Sequence, residues 1–196
     1  MRRLLLFGLS VCAPLAPALA HTGLGDAAGF SHGVMHPIGG LDHVLAMVAV
    51  GVCAAHLRGR ALWLAPLTFV SVMAAAGALG SAGLALPYAE TGIALSVVAL
   101  GAAIAFAITL PLAAAMAFVG LFAIFHGYAH GAEMPDSASG LAYGAGFVLA
   151  TALLHLIGIA LGTGVRRLDA SNALRVARAG GGLIAMAGVA ILAEII

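Results

Sequence analysis

The sequence predicts an all-α membrane protein with six transmembrane helices after a cleaved signal peptide. Apolar residues make up 63% of the 196 residues and charged residues only 8%, whereas a soluble domain carries about 25% charged residues. Long apolar runs recur between short polar breaks, and a helix needs about 20 such residues to span a bilayer. This composition excludes a water-soluble enzyme and a disordered chain. Eight arginines without lysine, set against seven acidic residues, give no support to nucleic-acid binding.

The first 20 residues have the pattern of a secretory signal peptide. Two arginines near the start form a basic region, the apolar stretch Leu4–Cys12 follows, and an Ala-Leu-Ala cleavage site ends at Ala20. The apolar stretch is too short to span a bilayer as a helix. We therefore expect removal of residues 1–20, a periplasmic N-terminal segment at 21–37 and a six-helix transmembrane domain at 38–196.

Six apolar segments follow, each long enough to cross a bilayer. Turn residues, arginines or prolines separate them. We expect the spans at Ile38–Leu57, Ala61–Leu86, Tyr88–Leu110, Pro111–His130, Ala138–Gly164 and Leu174–Ile196. Glycines within them, such as Gly77, Gly80, Gly158 and Gly162, would let helix backbones approach closely in lipid.

The arginines predict the orientation of these spans. A cleaved signal places the mature N-terminus outside, so the loops after the first, third and fifth helices face the cytoplasm. The arginines of the mature chain all lie in or beside those loops, as the positive-inside rule requires. They are Arg58, Arg60, Arg166, Arg167, Arg175 and Arg178. We expect a multi-pass protein of the bacterial inner membrane, surrounded by lipid, with both mature termini in the periplasm.

Ionisable side chains gather at the periplasmic end of the expected bundle. The candidate site residues are His36, Asp42, His43, Glu90, His126, His130 and Glu133. The last three are spaced by four and three residues, so they share one face of the fourth helix. Because ionisable groups in a bilayer are costly, their concentration at one end indicates a function.

Imidazoles and carboxylates together indicate a site for a divalent cation. Imidazole suits nickel, zinc, copper and iron, while the thiolate-rich set of a copper(I) site is absent from the sequence. We expect the ion to be a transported substrate, with no prosthetic group. Simpler interpretations exist for single residues. His36 could lie in the outer loop, Glu133 could be a solvated helix end, and Asp42 with His43 could form an ion pair between helices.

Two segments resemble the motifs of a known family. The segment His36–Gly51 reads HPIGGLDHVLAMVAVG, and Phe125–Glu133 reads FHGYAHGAE. Both resemble motifs of the HupE/UreJ family, bacterial membrane proteins associated with hydrogenase or urease gene clusters and regarded as nickel permeases. The residues that match motif positions are His36, Asp42, His43, His130 and Glu133. Glu90 lies in the matching third helix.

The resemblance extends over the whole chain and implies a function. It implies nickel uptake from periplasm to cytoplasm for metalloenzyme maturation, with a hydrogenase or urease maturation system as a possible partner. The residues alone indicate only a divalent cation, so cobalt, zinc and copper stay open. The alternative is a membrane protein that binds metal, or haem through His126 or His155, without transport. His155 is interpreted either as a packing residue or as an inner relay site. We expect no enzyme, because no nucleotide-binding motif and no H-E-x-x-H sequence is present.

Overall fold

The computed structural model describes residues 24–134 and 139–194, and every regular element within them is an α-helix. The predicted signal peptide lies outside these residues. The helices α1 to α7 are Leu24–Gly39, Leu41–Leu57, Ala61–Ser81, Ala89–Ala105, Leu112–Ala132, Gly140–Val165 and Ala170–Leu192. The predicted all-α class is therefore confirmed for the described chain.

The number of helices that could cross a membrane is four or five by length and composition in the described residues. Helices α3, α5, α6 and α7 qualify individually, and α1 with α2 qualifies as one bent pair. Helix α4 has 17 residues and falls short of that test. It ends at Ala105, five residues before the predicted boundary, and Ala107 beyond it adopts a positive φ of 51°. The chain is thus a multi-pass membrane protein, and the six-span count is not reached by this measure.

A sharp break separates α1 from α2. The two helices meet at Gly40, which has extended dihedral angles (φ −91°, ψ 119°), and their axes differ by 80°. Glycine is a poor helix former, and two consecutive glycines weaken the helix at this point. The predicted first span starts at Ile38, so the helix before it is a feature that the sequence did not predict. The break leaves His36 near the end of one helix and His43 near the start of the next.

Close helix pairing sets the position of the buried side chains. Helix α6 packs against both α1 and α2, α3 packs against α5, and α4 packs against α7. Gly51 of α2 and Gly158 of α6 face each other, and a Cβ atom on either would overlap the opposite backbone. This close approach is typical of helix pairs in lipid. Gly131 of α5 makes a similar contact with the backbone of Gly77 on α3.

The core of the bundle is apolar and contains a few buried polar residues. Met47, Phe69 and Val97 are among its fully buried side chains. Large apolar side chains also cover the outer surface, including Trp63 of α3 and Leu183 of α7, which are 63% and 64% exposed. An apolar exterior of this extent suits a surface that contacts lipid. The buried polar residues are His43, Ser96, His126, Thr151 and His155.

Candidate metal site

Two imidazoles and one carboxylate meet at one end of the bundle. His36 lies in the last turn of α1, His130 in the last turn of α5, and Glu133 directly after α5. Nε2 of His36 is 2.8 Å from Nδ1 of His130. Oε2 of Glu133 is 3.7 Å from the His36 nitrogen and 3.6 Å from the His130 nitrogen. We call these three residues the His–His–Glu triad.

The triad has the donor atoms and the spacing of a metal site. One ligand atom from each residue lies within 4.8 Å of the others. Zinc bonds to imidazole nitrogen and carboxylate oxygen are about 2.0–2.2 Å long, so tetrahedral ligand atoms lie about 3.3–3.6 Å apart. Small movements of the side chains would bring the three atoms to such a separation. The side chains of His36 and Glu133 are 35% and 55% exposed and that of His130 is 12% exposed, so the triad is open on one side.

His43 lies beneath the triad and connects it to the interior. It is fully buried in the first turn of α2, and its Nδ1 is 3.2 Å from Nε2 of His130. Its Nε2 is 3.3 Å from Oγ1 of Thr151 on α6. The Thr151 hydroxyl donates in turn to Sδ of Met73 on α3, at 3.8 Å. A continuous series of polar contacts therefore runs from the triad into the bundle.

Thr151 is a site residue that the sequence does not identify. In the sequence it is interpretable only as a small polar group that could satisfy a helix backbone. The contact with His43 joins residues 108 positions apart, so no local spacing signals it. The close packing of α2 on α6 at Gly51 and Gly158 brings the two side chains together.

Asp42 and Glu90 lie near the triad and outside it. The Asp42 carboxylate accepts a hydrogen bond from the backbone amide of His43, at 2.8 Å. Asp42 is half-buried at the start of α2 and close enough to His130 to interact with it electrostatically. Glu90, in the first turn of α4, is exposed and interacts electrostatically with the carboxylates of Glu133 and Asp42. Both residues add negative charge around the triad.

Two further histidines lie deeper in the bundle. Nδ1 of His126 donates to the carbonyl oxygen of Phe122 at 3.1 Å, which leaves Nε2 with its lone pair. That Nε2 and both ring nitrogens of His155 are buried without a hydrogen-bond partner among the described residues. The two rings flank Phe69, with ring centroids 5.6 Å and 5.3 Å from it. A buried polar atom without a partner costs about 1–3 kcal/mol, so three such nitrogens require an explanation such as a bound water or ion.

A cavity of about 660 Å³ opens beside the triad between α3, α5 and α6. Its lining includes His130, Tyr143 and Phe147 together with Met134. The Tyr143 hydroxyl is buried and has no hydrogen-bond partner in the described part of the chain. The cavity gives His130 a second open side, next to the one at Glu133.

These features define a helical, multi-pass membrane protein with a cluster of potential metal ligands at one end. The chain matches the family described as HupE / UreJ protein over residues 9–191. It is 46% identical over 177 residues to Protein HupE of Rhizobium leguminosarum bv. viciae, and this match covers 90% of this chain and 91% of that protein. No solved structure matches the chain.

The chain therefore belongs to the HupE/UreJ family, which confirms the resemblance drawn from the two motifs. The family consists of accessory or permease membrane proteins associated with nickel or cobalt uptake for hydrogenase and urease.

Proposed function

We propose that this protein is a permease that carries a divalent metal ion, nickel above all, from the periplasm to the cytoplasm for maturation of hydrogenase or urease. The His–His–Glu triad is the main support for this function, because its three ligand atoms lie within 4.8 Å of one another. Family membership supports nickel as the substrate. Imidazole with carboxylate is also a donor set that suits nickel.

We further propose that the chain has six membrane spans after a cleaved signal peptide, with both mature termini in the periplasm. In this arrangement α1 and α2 together form the first, bent span. Helix α4 forms the third, since 17 residues extend about 26 Å at 1.5 Å per residue. That length approaches the roughly 30 Å hydrocarbon core of a bilayer. The triad then faces the periplasm, where the ion enters.

The proposed first step is capture of the hydrated ion at the triad. Negative charge from Asp42, Glu90 and Glu133 attracts the cation and offsets the cost of placing it in a medium of low dielectric constant. The ring nitrogens of His36 and His130 replace water ligands one at a time. The half-exposed Glu133 side chain keeps this exchange in contact with solvent.

The proposed second step is passage inward past the buried histidines. The unpartnered Nε2 of His126 and one of the two unpartnered nitrogens of His155 supply lone pairs within a largely apolar interior. Each offers a temporary ligand to an ion that has left the triad. Transport requires binding that is favourable enough for entry and weak enough for release, and single imidazoles along the route provide weak sites of this kind.

Flux of nickel into proteoliposomes tests the proposal. The purified protein should accelerate uptake of radioactive nickel, and His130→Ala should remove this acceleration because the triad loses its central ligand. His56→Ala is the matched control, since His56 is exposed at the last turn of α2, outside the cluster. Normal flux through the His130→Ala protein would refute the proposal. Tight nickel binding without flux would favour the alternative of a binding protein that does not transport. Cobalt, zinc and copper as competitors measure selectivity.

A further inference from the structure

The contacts beneath the triad fix the direction of one hydrogen bond. The thioether sulfur of Met73 has no hydrogen and can only accept, so the Thr151 hydroxyl donates its single proton to it. The Thr151 oxygen is then left to accept from its other neighbour, Nε2 of His43. All three side chains are at most 2% exposed to bulk solvent.

This direction propagates through the two histidines above. A neutral imidazole has one nitrogen that donates and one that accepts. If Nε2 of His43 donates to Thr151, Nδ1 of His43 accepts, and the atom facing it is Nε2 of His130 at 3.2 Å. Nε2 of His130 therefore carries a proton, and Nδ1 of His130 holds the lone pair. That Nδ1 is the atom that faces His36 and Glu133 in the triad.

We propose that Thr151 and Met73 are positioning residues, which act through His43 to turn the lone pair of His130 toward the metal. The inference rests on the proposed function, because it treats Nδ1 of His130 as a ligand atom. In this arrangement His43 does not bind the ion held by the triad. It accepts the N–H of the histidine that does, as carboxylates and carbonyls do in other metal sites. The opposite proton order would direct an N–H group at the cation.

The chain contains a matched control for this arrangement. Thr68 also donates to a methionine sulfur, that of Met116, at 3.2 Å. No hydrogen bond among the described residues joins this second pair to a histidine. Thr68→Val therefore removes the same type of contact as Thr151→Val without changing any imidazole. A difference between the two variants isolates the effect on His130.

The first test reads the proton positions in metal-free protein. The protein is labelled with nitrogen-15 at its histidines and placed in a lipid nanodisc. Its nitrogen-15 NMR spectrum should show wild-type His130 protonated at Nε2. Thr151→Val should give a mixture of the two tautomers, Thr151→Ser should restore the wild-type form, and Thr68→Val should leave it unchanged. A wild-type His130 protonated at Nδ1, or a Thr151→Val spectrum identical to the wild type, would overturn the inference.

The second test measures nickel affinity by titration calorimetry. Loss of a residue that orients a metal ligand typically lowers affinity about 10–100-fold, and we expect a loss of this size for Thr151→Val. Thr151→Ser and Thr68→Val should bind as the wild type does. Equal affinity of Thr151→Val and the wild type would contradict the inference. A wild type that binds no nickel would contradict the proposed function instead, and the tautomer measurement would still decide the role of Thr151.

A third variant guards against a Thr151→Val protein that fails to fold. Met73→Leu keeps the hydroxyl but removes the acceptor that fixes its direction, so His130 should populate both tautomers and nickel affinity should fall. Met116→Leu is its matched control and should behave as the wild type does. Unchanged His130 tautomers in Met73→Leu would overturn the inference, because Met73 would then not set the proton order.

Discussion

At the scale of single residues, His130 is the centre of the site. It contacts His36 through one ring nitrogen and His43 through the other, and Glu133 lies 3.6 Å away. The neighbourhood of His130 and Glu133 follows from their spacing on one helix face and was predictable from the sequence. The contact between His130 and His36 joins residues 94 positions apart and depends on how α1 packs against the bundle. The sequence could therefore predict only that the two residues lie at the same end of the molecule.

Glu133 should contribute mainly through its negative charge. Glu133→Gln keeps the shape of the side chain but removes the charge and weakens its oxygen as a ligand. Because Glu133 is a proposed ligand, nickel affinity should fall by at least the roughly 10–100-fold loss typical of an orienting partner. Titration calorimetry on the purified protein measures this change. Glu194→Gln is the control, since Glu194 is an exposed carboxylate just after α7. Equal losses in the two variants would contradict a specific role for Glu133.

At the scale of helices, the site depends on a break and on a close contact. The break at Gly40 turns the chain by 80° and lets residues on both sides of it reach His130. The two glycines in the sequence indicate that a bend is possible there, but nothing in the pattern predicts the helix before it. Among the glycines of the apolar segments, Gly158 makes a close contact with α2, whereas Gly83 lies in a turn with φ 77° and has no atom near its missing side chain. Composition alone does not distinguish these two roles.

The contact between α2 and α6 should be intolerant of a single added methyl group. The Cβ atom of Gly158→Ala would overlap the backbone of Val48. This overlap must move α2 and α6 apart. Overpacking of this kind costs about 1–3 kcal/mol, so the unfolding temperature in detergent should fall. The same shift should weaken the contact between His43 and Thr151.

Gly164→Ala is the control for this change. Gly164 lies on the same helix, and no atom lies within 4 Å of the position that its added methyl group would occupy. Alanine is a better helix former than glycine, so this variant should be at least as stable as the wild type. Similar destabilisation by both variants would show that the close contact is not the cause.

At the scale of the whole molecule, the sequence and the structure agree on class and differ on boundaries. Both give an all-α membrane protein, because 63% apolar composition leaves few alternatives. The predicted second span ran to Leu86, whereas α3 ends at Ser81. The apolar residues after it continue the pattern without continuing the helix, since a turn at Gly83 intervenes. Hydropathy therefore locates the spans, and turn geometry sets their ends.

The proposed orientation predicts which loops react from outside the cell. In a Cys53→Ser background, a membrane-impermeant maleimide should label Ala85→Cys, which lies in an exposed loop between α3 and α4. Arg60→Cys, exposed between α2 and α3, should react only after permeabilisation, because that loop faces the cytoplasm. Intact and permeabilised cells are treated with the maleimide, and mass spectrometry of the protein then measures the labelling of each variant. The reverse pattern would invert the proposed topology and place the triad on the wrong side for uptake.

Binding of the cation by the His–His–Glu triad can be measured by X-ray absorption at the nickel edge, on purified protein loaded with one equivalent of nickel. We predict scattering from two imidazole rings and an oxygen ligand in the wild type, and the loss of one imidazole contribution in His130→Ala. A wild-type spectrum without imidazole scattering, or a spectrum that His130→Ala leaves unchanged, would show that the triad does not bind the ion.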